Sequence, residues 1–150
     1  MKHYIIDGNN LIGKNQLLKK IHQKNKSESA HKLAQMIGRY FHNKKVLISL
    51  HFDGVSNEGI TVSGIKVYYS GSSSADDKIK NEIGKSRNPK NIILVTSDNN
   101  LIEFGQTCSC EIIKSEEFSA RLSTQNHSDE EEKLINQIND NEMFKKLFDS

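Results

Sequence analysis

The sequence holds a single proline, Pro89, only two cysteines, Cys108 and Cys110, and no apolar run near the ~20 residues that span a bilayer. The cysteines form a C-x-C with no second pair to complete a four-ligand zinc site, so they read as two reduced thiols beside a strand. The full P-loop signature Gly-x-x-x-x-Gly-Lys-Ser/Thr is absent, since Gly84-Lys85-Ser86 has Ile79 where the first glycine is required, which excludes that class of phosphate-binding enzyme. Net charge is scarce too: Lys+Arg 21 against Asp+Glu 19 gives +2, too little to indicate a nucleic-acid partner by itself. The opening segment Met1-Lys2-His3-Tyr4-Ile5-Ile6-Asp7 lacks the apolar stretch of a secretory signal, so a cytoplasmic protein is expected.

What is present describes a globular chain. With 150 residues, 35% hydrophobic and 27% charged, one soluble domain around one core is expected. Charge is distributed unevenly: Lys19, Lys20, Lys24 and Lys26 cluster early, Asp129 to Glu132 late. A cationic patch can hold phosphates, but each cluster alone is better explained as a solvated helix face.

Strand and helix signals alternate. Lys2–Ile6 reads as a short strand ending at Asp7-Gly8, and Asn15–His22 as a helix with Leu17, Leu18 and Ile21 on one side. After a polar break, Ala30, Leu33, Ala34, Ile37, Tyr40 and Phe41 recur at helical spacing, with Ser27 or Ser29 as the cap. Val46–Phe52 alternates as a strand, and another runs through Ile65, Val67 and Tyr69. A serine-rich loop opens a helix from Ala75 to about Lys85; Asn91–Thr96 is apolar on both faces and suits a doubly buried strand. A short helix after Ser97-Asp98, a strand Cys110–Ile113, a helix capped by Ser115 and a helical tail from Ser128, broken near Asn139, complete the pattern. This alternation predicts an α/β fold with a mainly parallel central sheet flanked by helices in three layers.

Ligands of such folds bind beyond the carboxyl ends of the strands. Aspartates recur at that edge: Asp7 after Tyr4-Ile5-Ile6, Asp53 after Leu50-His51-Phe52, Asp98 after Val95-Thr96-Ser97, and Asp76 and Asp77 at the head of the next helix. Each has an ordinary explanation: a turn before glycine, an acid in a first helical turn, or the capping box Ser73-x-x-Asp76. Their joint placement points further. Clustered carboxylates repel, a divalent cation neutralises them, and oxygen-only ligation suits Mg²⁺ or Mn²⁺ over zinc. Such a site suits hydrolysis of a phosphodiester. Helical phase puts Asp76 on the stripe of Ile79 and Ile83, while Asp77 falls with Lys80, Asn81 and Gly84 on a solvated side.

At these residues the sequence resembles a known family. Tyr4-Ile5-Ile6-Asp7-Gly8-Asn9-Asn10-Leu11-Ile12, Phe52-Asp53-Gly54, Ser73-Ser74-Ala75-Asp76-Asp77-Lys78-Ile79 and Val95-Thr96-Ser97-Asp98 resemble, in order, the motifs of NYN domains, the YacP-like branch of the PIN-domain ribonucleases. Ser115-Glu116-Glu117-Phe118 matches the polar-acidic helix start near the end of such domains. The resemblance implies a PIN-like nuclease domain over 1–123, with 124–150 a helical extension packed on it. It also implies an endoribonuclease that uses Mg²⁺ or Mn²⁺ to cleave single-stranded RNA; some relatives act on messenger RNA at the ribosome. Carried over residue by residue, Asp7, Asp76 and Asp98 are the catalytic, metal-binding carboxylates. Asp53 and Asp77 are candidates for a fourth, and Asn9 or Asn10 for a polar contact to substrate or metal. Position 9 departs from the family, where an aromatic residue is frequent. Lys78, beside the site, is a candidate for phosphate contact.

Three rival readings remain: a non-catalytic RNA-binding module of the same shape, a toxin nuclease of the PIN class with a protein antitoxin, and a haloacid-dehalogenase-type phosphatase. The last needs a second aspartate two residues after Asp7, where Asn9 stands. His51 and Asp53, two apart on one strand, could suggest a proton relay; a histidine near a sheet edge is the simpler explanation.

Overall fold

The computed structural model describes residues 1–56 and 59–124. Its elements in chain order are β1 (Lys2–Asp7), α1 (Gly8–Gly13), α2 (Gln16–Lys24), α3 (Lys26–Tyr40), β2 (Val46–Phe52), β3 (Lys66–Tyr69), α4 (Ala75–Lys85), a 3-10 turn (Pro89–Asn91), β4 (Ile92–Val95), α5 (Asn99–Thr107) and β5 (Glu111–Ile113). Residues 115–124 form a further helical stretch. The five strands make one sheet in the order β3-β2-β1-β4-β5, and every pairing is parallel. The α/β architecture expected from the sequence is therefore present, with helices on both faces.

The sheet grows outward in two directions. From β1 the chain adds β2 and then β3 on one side; it then crosses back through α4 to place β4 on the other side of β1, followed by β5. The order reverses between β1 and β4, so a crevice opens beyond the carboxyl ends of these two strands.

Alternation along the strands divides the core. Ile6, Leu50 and Val95 face α1, α2, α3 and the 115–124 helix, where they meet Leu11, Leu18, Leu33, Ile37 and Phe118. Ile5, Ile92 and Leu94 face α4 and α5, against Ile79, Ile83 and Leu101. Each such fully buried aliphatic or aromatic side chain contributes about 1.5–3 kcal/mol. On the first face an aromatic group closes the core, with Tyr4 and Phe41 centroids 4.5 Å apart and Tyr40 edge-on to Phe41 at 4.8 Å.

Several local expectations are corrected. Asp7-Gly8 makes no turn: Gly8 opens α1 directly. A Cβ there would lie 2.7 Å from the His51 carbonyl oxygen and 2.5 Å from the Phe52 ring, so only glycine lets α1 start against β2. The long helix starts at Lys26, and its cap is Asn25, which accepts from Glu28 N–H, in place of Ser27 or Ser29. Ser29 is instead buried and donates to the Lys26 carbonyl. Leu17 is half exposed, a helical step of about 100° away from buried Leu18. Ser74, not Ser73, caps α4, accepting from Asp77 N–H. The expected extension over 124–150 lies, apart from residue 124, outside the described residues. No helix among the described residues is long and apolar enough to cross a membrane.

Candidate active site at the reversal of strand order

Asp7 ends β1, where the strand runs into α1, and its side chain is buried. It accepts a hydrogen bond from the Thr96 hydroxyl (3.1 Å), and Thr96 Oγ1 in turn accepts from Asp98 N–H (3.1 Å). A buried threonine immediately after β4 thus joins the ends of the two central strands. Asp98 is itself the cap of α5, accepting from Leu101 N–H (3.1 Å). Ser97 faces the other way: its hydroxyl donates to Glu116 (2.6 Å) and accepts from Ser115 N–H (2.9 Å).

Asn9 and Asn10 brace this edge. Asn9 Oδ1 accepts from Asp53 N–H (2.8 Å), tying the end of β2 to the start of α1. Asn10 Oδ1 accepts from Ser97 N–H (3.0 Å) and from the Ser115 hydroxyl (2.7 Å), tying the end of β4 and the 115–124 helix to the same point. The Ser115 hydroxyl therefore bonds Asn10, not the backbone of its own helix. Asp53, exposed, accepts from Ala75 N–H (2.8 Å) and so fixes the first turn of α4, which carries Asp76.

The carboxylates act on one another. Burial, reinforced by the charges of Asp76 and Asp53, pushes the Asp7 carboxyl up to about 6, against the opposing hydrogen bonds of the Thr96 hydroxyl and Asn10 backbone. Asp76, half-buried, is also held above its usual range, by burial first and then by the charges of Asp98 and Asp53; Lys80 opposes this and Asp77 adds to it. Asp7, Asp53, Asp76 and Asp98 therefore share one field, although they come from four segments of the chain. Asp77 is exposed at the head of α4 and sits at the margin of that field.

The donor set is oxygen-only, anionic and partly desolvated, which is the chemistry Mg²⁺ and Mn²⁺ select. Among the described residues, no three His, Cys, Asp or Glu side chains converge on a point that one ion could occupy. A closed protein cage is thus not built here; the set fits an ion held by one or two carboxylates that keeps several waters, as Mg²⁺ does when it binds phosphates.

The residues nearby sort differently from expectation. Lys78 is exposed and turns with Asn81, Glu82 and Lys85 toward a cavity on the sheet face, while Lys80 is the cation acting on Asp76. His51 makes no relay with Asp53. It is buried in β2 away from the sheet edge and bonds Glu82 of α4 (2.8 Å), which also meets His3 (3.2 Å). Burial raises the Glu82 carboxyl, but hydrogen bonds from His3, His51 and Ser49 outweigh it and hold the group well below the usual range. Sequence reading missed this cluster and the bridging role of Thr96. The signals for them were a charged residue beside the Ile79–Ile83 stripe, and a threonine continuing a strand buried on both faces.

Comparison with known proteins agrees with this fold. The profile of the YacP-like NYN domain matches residues 4–150. The crystal structure of Rae1 (YacP) from Bacillus subtilis superposes with a TM-score of 0.71 at 22% identity, covering 99% of this chain and 93% of that one. A variant of the same protein gives 0.71 at 20% identity, covering 92% and 86%. No curated protein matches the chain. The chain belongs to the YacP-like NYN domain family, a PIN-like nuclease family.

Proposed function

We propose that this protein is an endoribonuclease that hydrolyses phosphodiester bonds of single-stranded RNA with the aid of Mg²⁺ or Mn²⁺. The observation that carries the reading is the shared field of Asp7, Asp53, Asp76 and Asp98 at the crevice where strand order reverses.

In this reading the cation sits among Asp7, Asp76 and Asp98, held by one or two of them directly and by the others through its waters, with Asp53 as the additional carboxylate and Asp77 at the margin. When bound, a divalent ion supplies Lewis acidity and cancels the repulsion among the carboxylates. The chain's own residues do the rest. Asp7, anchored on Thr96 Oγ1 and carrying a raised pKa, has high affinity for positive charge, whether a proton or a cation. Thr96 fixes the separation of Asp7 and Asp98 by bonding to both residues. Asn9 and Asn10 use their carbonyl oxygens to brace the strand ends, and their amide groups supply donors for a substrate at this edge. Lys80 tempers the charge at Asp76, and Lys78 stands two residues further along α4, where a phosphate leaving the crevice would pass.

The test is cleavage of a labelled single-stranded RNA by the purified protein with Mn²⁺, Mg²⁺ or EDTA. Metal-dependent cleavage is expected, with at least roughly a hundredfold loss in Asp7→Asn, Asp76→Asn and Asp98→Asn while circular dichroism stays unchanged. Full activity in any of these variants removes that residue from the site, and binding without cleavage makes the protein a non-catalytic RNA-binding module. We extend the proposal to messenger RNA on the ribosome, by analogy with members of the branch. Ribosome-presented RNA is therefore the second substrate, expected to be cut faster than the same RNA free in solution.

A further inference from the structure

The described residues of the connection from β2 to β3 form no helix, so among the described residues α4 is the last cover on its face of the sheet and leaves the surface beyond it open. A cavity of about 780 Å³ lies there, between one side of α4 and the outer half of the sheet. That volume falls in the range of sites that take a nucleotide-sized ligand. Two of the large hydrophobic side chains that remain exposed among the described residues, Leu47 (51%) and Tyr68 (40%), line it. The Tyr68 ring is supported from below by His51, stacked at 5.0 Å and 21°. Its phenol is therefore held as a platform and not left to rotate in solvent.

The free charge around this platform is positive. Lys78 and Lys85 project from α4 at i and i+7, and Lys66 from β3; all three are exposed. None of them belongs to the ion pairs found among the described residues. The acid lining the cavity is Glu82, and its carboxylate is engaged by His3 and His51. Lys78 and Lys85 stand about 10 Å apart along the helix axis, against a rise of about 3.4 Å per nucleotide in a stacked strand, so they can meet different phosphates. The groove runs along α4 from Lys85 up to Lys78, within one turn of Asp76 at the head of the same helix.

We propose that this groove is a second RNA subsite, which holds a single-stranded segment flanking the scissile bond with one base stacked on Tyr68 and its phosphates on Lys66, Lys78 and Lys85. An aromatic platform within a cationic groove binds single strands without reading sequence, because every base offers a π face. The proposal rests on the nuclease reading for its place beside the crevice, but the binding it asserts needs no cleavage.

The experiment measures binding of a fluorescent single-stranded oligoribonucleotide by anisotropy in EDTA, which separates binding from catalysis. Tyr68→Ala is expected to weaken binding about fivefold or more, and Tyr68→Phe to retain it. The triple variant Lys66→Gln, Lys78→Gln, Lys85→Gln is expected to weaken binding and to flatten the slope of log K against log salt by about 0.7 for each phosphate that is no longer neutralised. Lys90→Gln, beyond the opposite end of the strands, should change neither. In the cleavage assay the groove variants should raise KM more than they lower kcat. Wild-type affinity and salt slope in both Tyr68→Ala and the triple variant, with melting curves confirming the fold, overturn the subsite and leave the nuclease reading standing. Weakened binding in a protein that cleaves nothing keeps the subsite and removes the nuclease. Failure of the wild type to bind RNA overturns the subsite outright.

Discussion

At the scale of single residues, the informative side chains are one buried and one partly buried carboxylate, Asp7 and Glu82, and they point in opposite directions. Asp7 is destabilised by its surroundings: burial and neighbouring carboxylates raise its pKa to about 6. The folded protein therefore holds a proton that the unfolded chain has released between about pH 3.8 and 6, and stability falls as pH rises through that window. A shift of this size corresponds to about 3 kcal/mol. In EDTA at pH 7.5, Asp7→Asn should be more stable than wild type by about 1–3 kcal/mol in urea denaturation, with the difference shrinking toward pH 4. A variant no more stable than wild type at pH 7.5 would contradict the electrostatic account. Glu82 has the opposite sign. Its carboxyl is lowered, so its contribution is complete above the ordinary value of 4.5 and is lost as pH falls below it. Glu82→Gln should cost about 1–3 kcal/mol at neutral pH, measured by the same denaturation, and an unchanged midpoint would show that the two histidines gain nothing from the pair.

At the scale of elements, the site depends on where helices begin. α1 starts without a linker because Gly8 fits against the His51 carbonyl and the Phe52 ring. Gly8→Ala should cost about 1–3 kcal/mol through overpacking and should impair cleavage more than the stability loss explains, since Asp7, Asn9 and Asn10 move with α1. Loss of stability with full specific activity would separate the glycine from the site. α2 is fixed by Asn15, which caps it at Leu18 N–H (3.0 Å) and donates to Ser119 (3.0 Å) and Ser123 (3.2 Å) of the 115–124 helix. Asn15→Ala removes a cap worth about 1 kcal/mol together with two interhelical hydrogen bonds. A drop of about 2–3 kcal/mol in a thermal or urea melt is expected, with little effect on cleavage, because neither partner touches the acidic edge.

At the scale of the whole molecule, the sheet brings together carboxylates whose repulsion opposes folding and whose neutralisation favours it. A cation that binds only the folded state stabilises it by mass action, about 1.4 kcal/mol at ten times its dissociation constant. Mn²⁺ should therefore raise the melting temperature of the wild type in a concentration-dependent way and leave that of a doubly substituted Asp7→Asn, Asp98→Asn protein unchanged. Equal shifts in both proteins would place the ion elsewhere.

The sequence by itself determined the alternation of strands and helices, the doubly buried strand at Ile92–Val95, and the recurrence of aspartates at strand ends, because these follow from local periodicity and from the chain leaving each strand at the same edge. Helical phase also distinguished Asp76 from Asp77, since it depends on residues within two turns. Cap identity was less legible: neighbouring serines and asparagines are chemically equivalent candidates, and backbone geometry selects among them, as at Asn25 and Ser74. Only the tertiary structure decided the strand order, the Thr96 bridge between Asp7 and Asp98, the diversion of Lys78 into a lateral groove, and the pairing of Glu82 with His3 and His51. Each of these joins residues far apart in sequence, and such contacts are set by the crossing of α4 over the sheet and by a β2–β3 connection whose described residues form no helix, neither of which leaves a periodic signal in the chain.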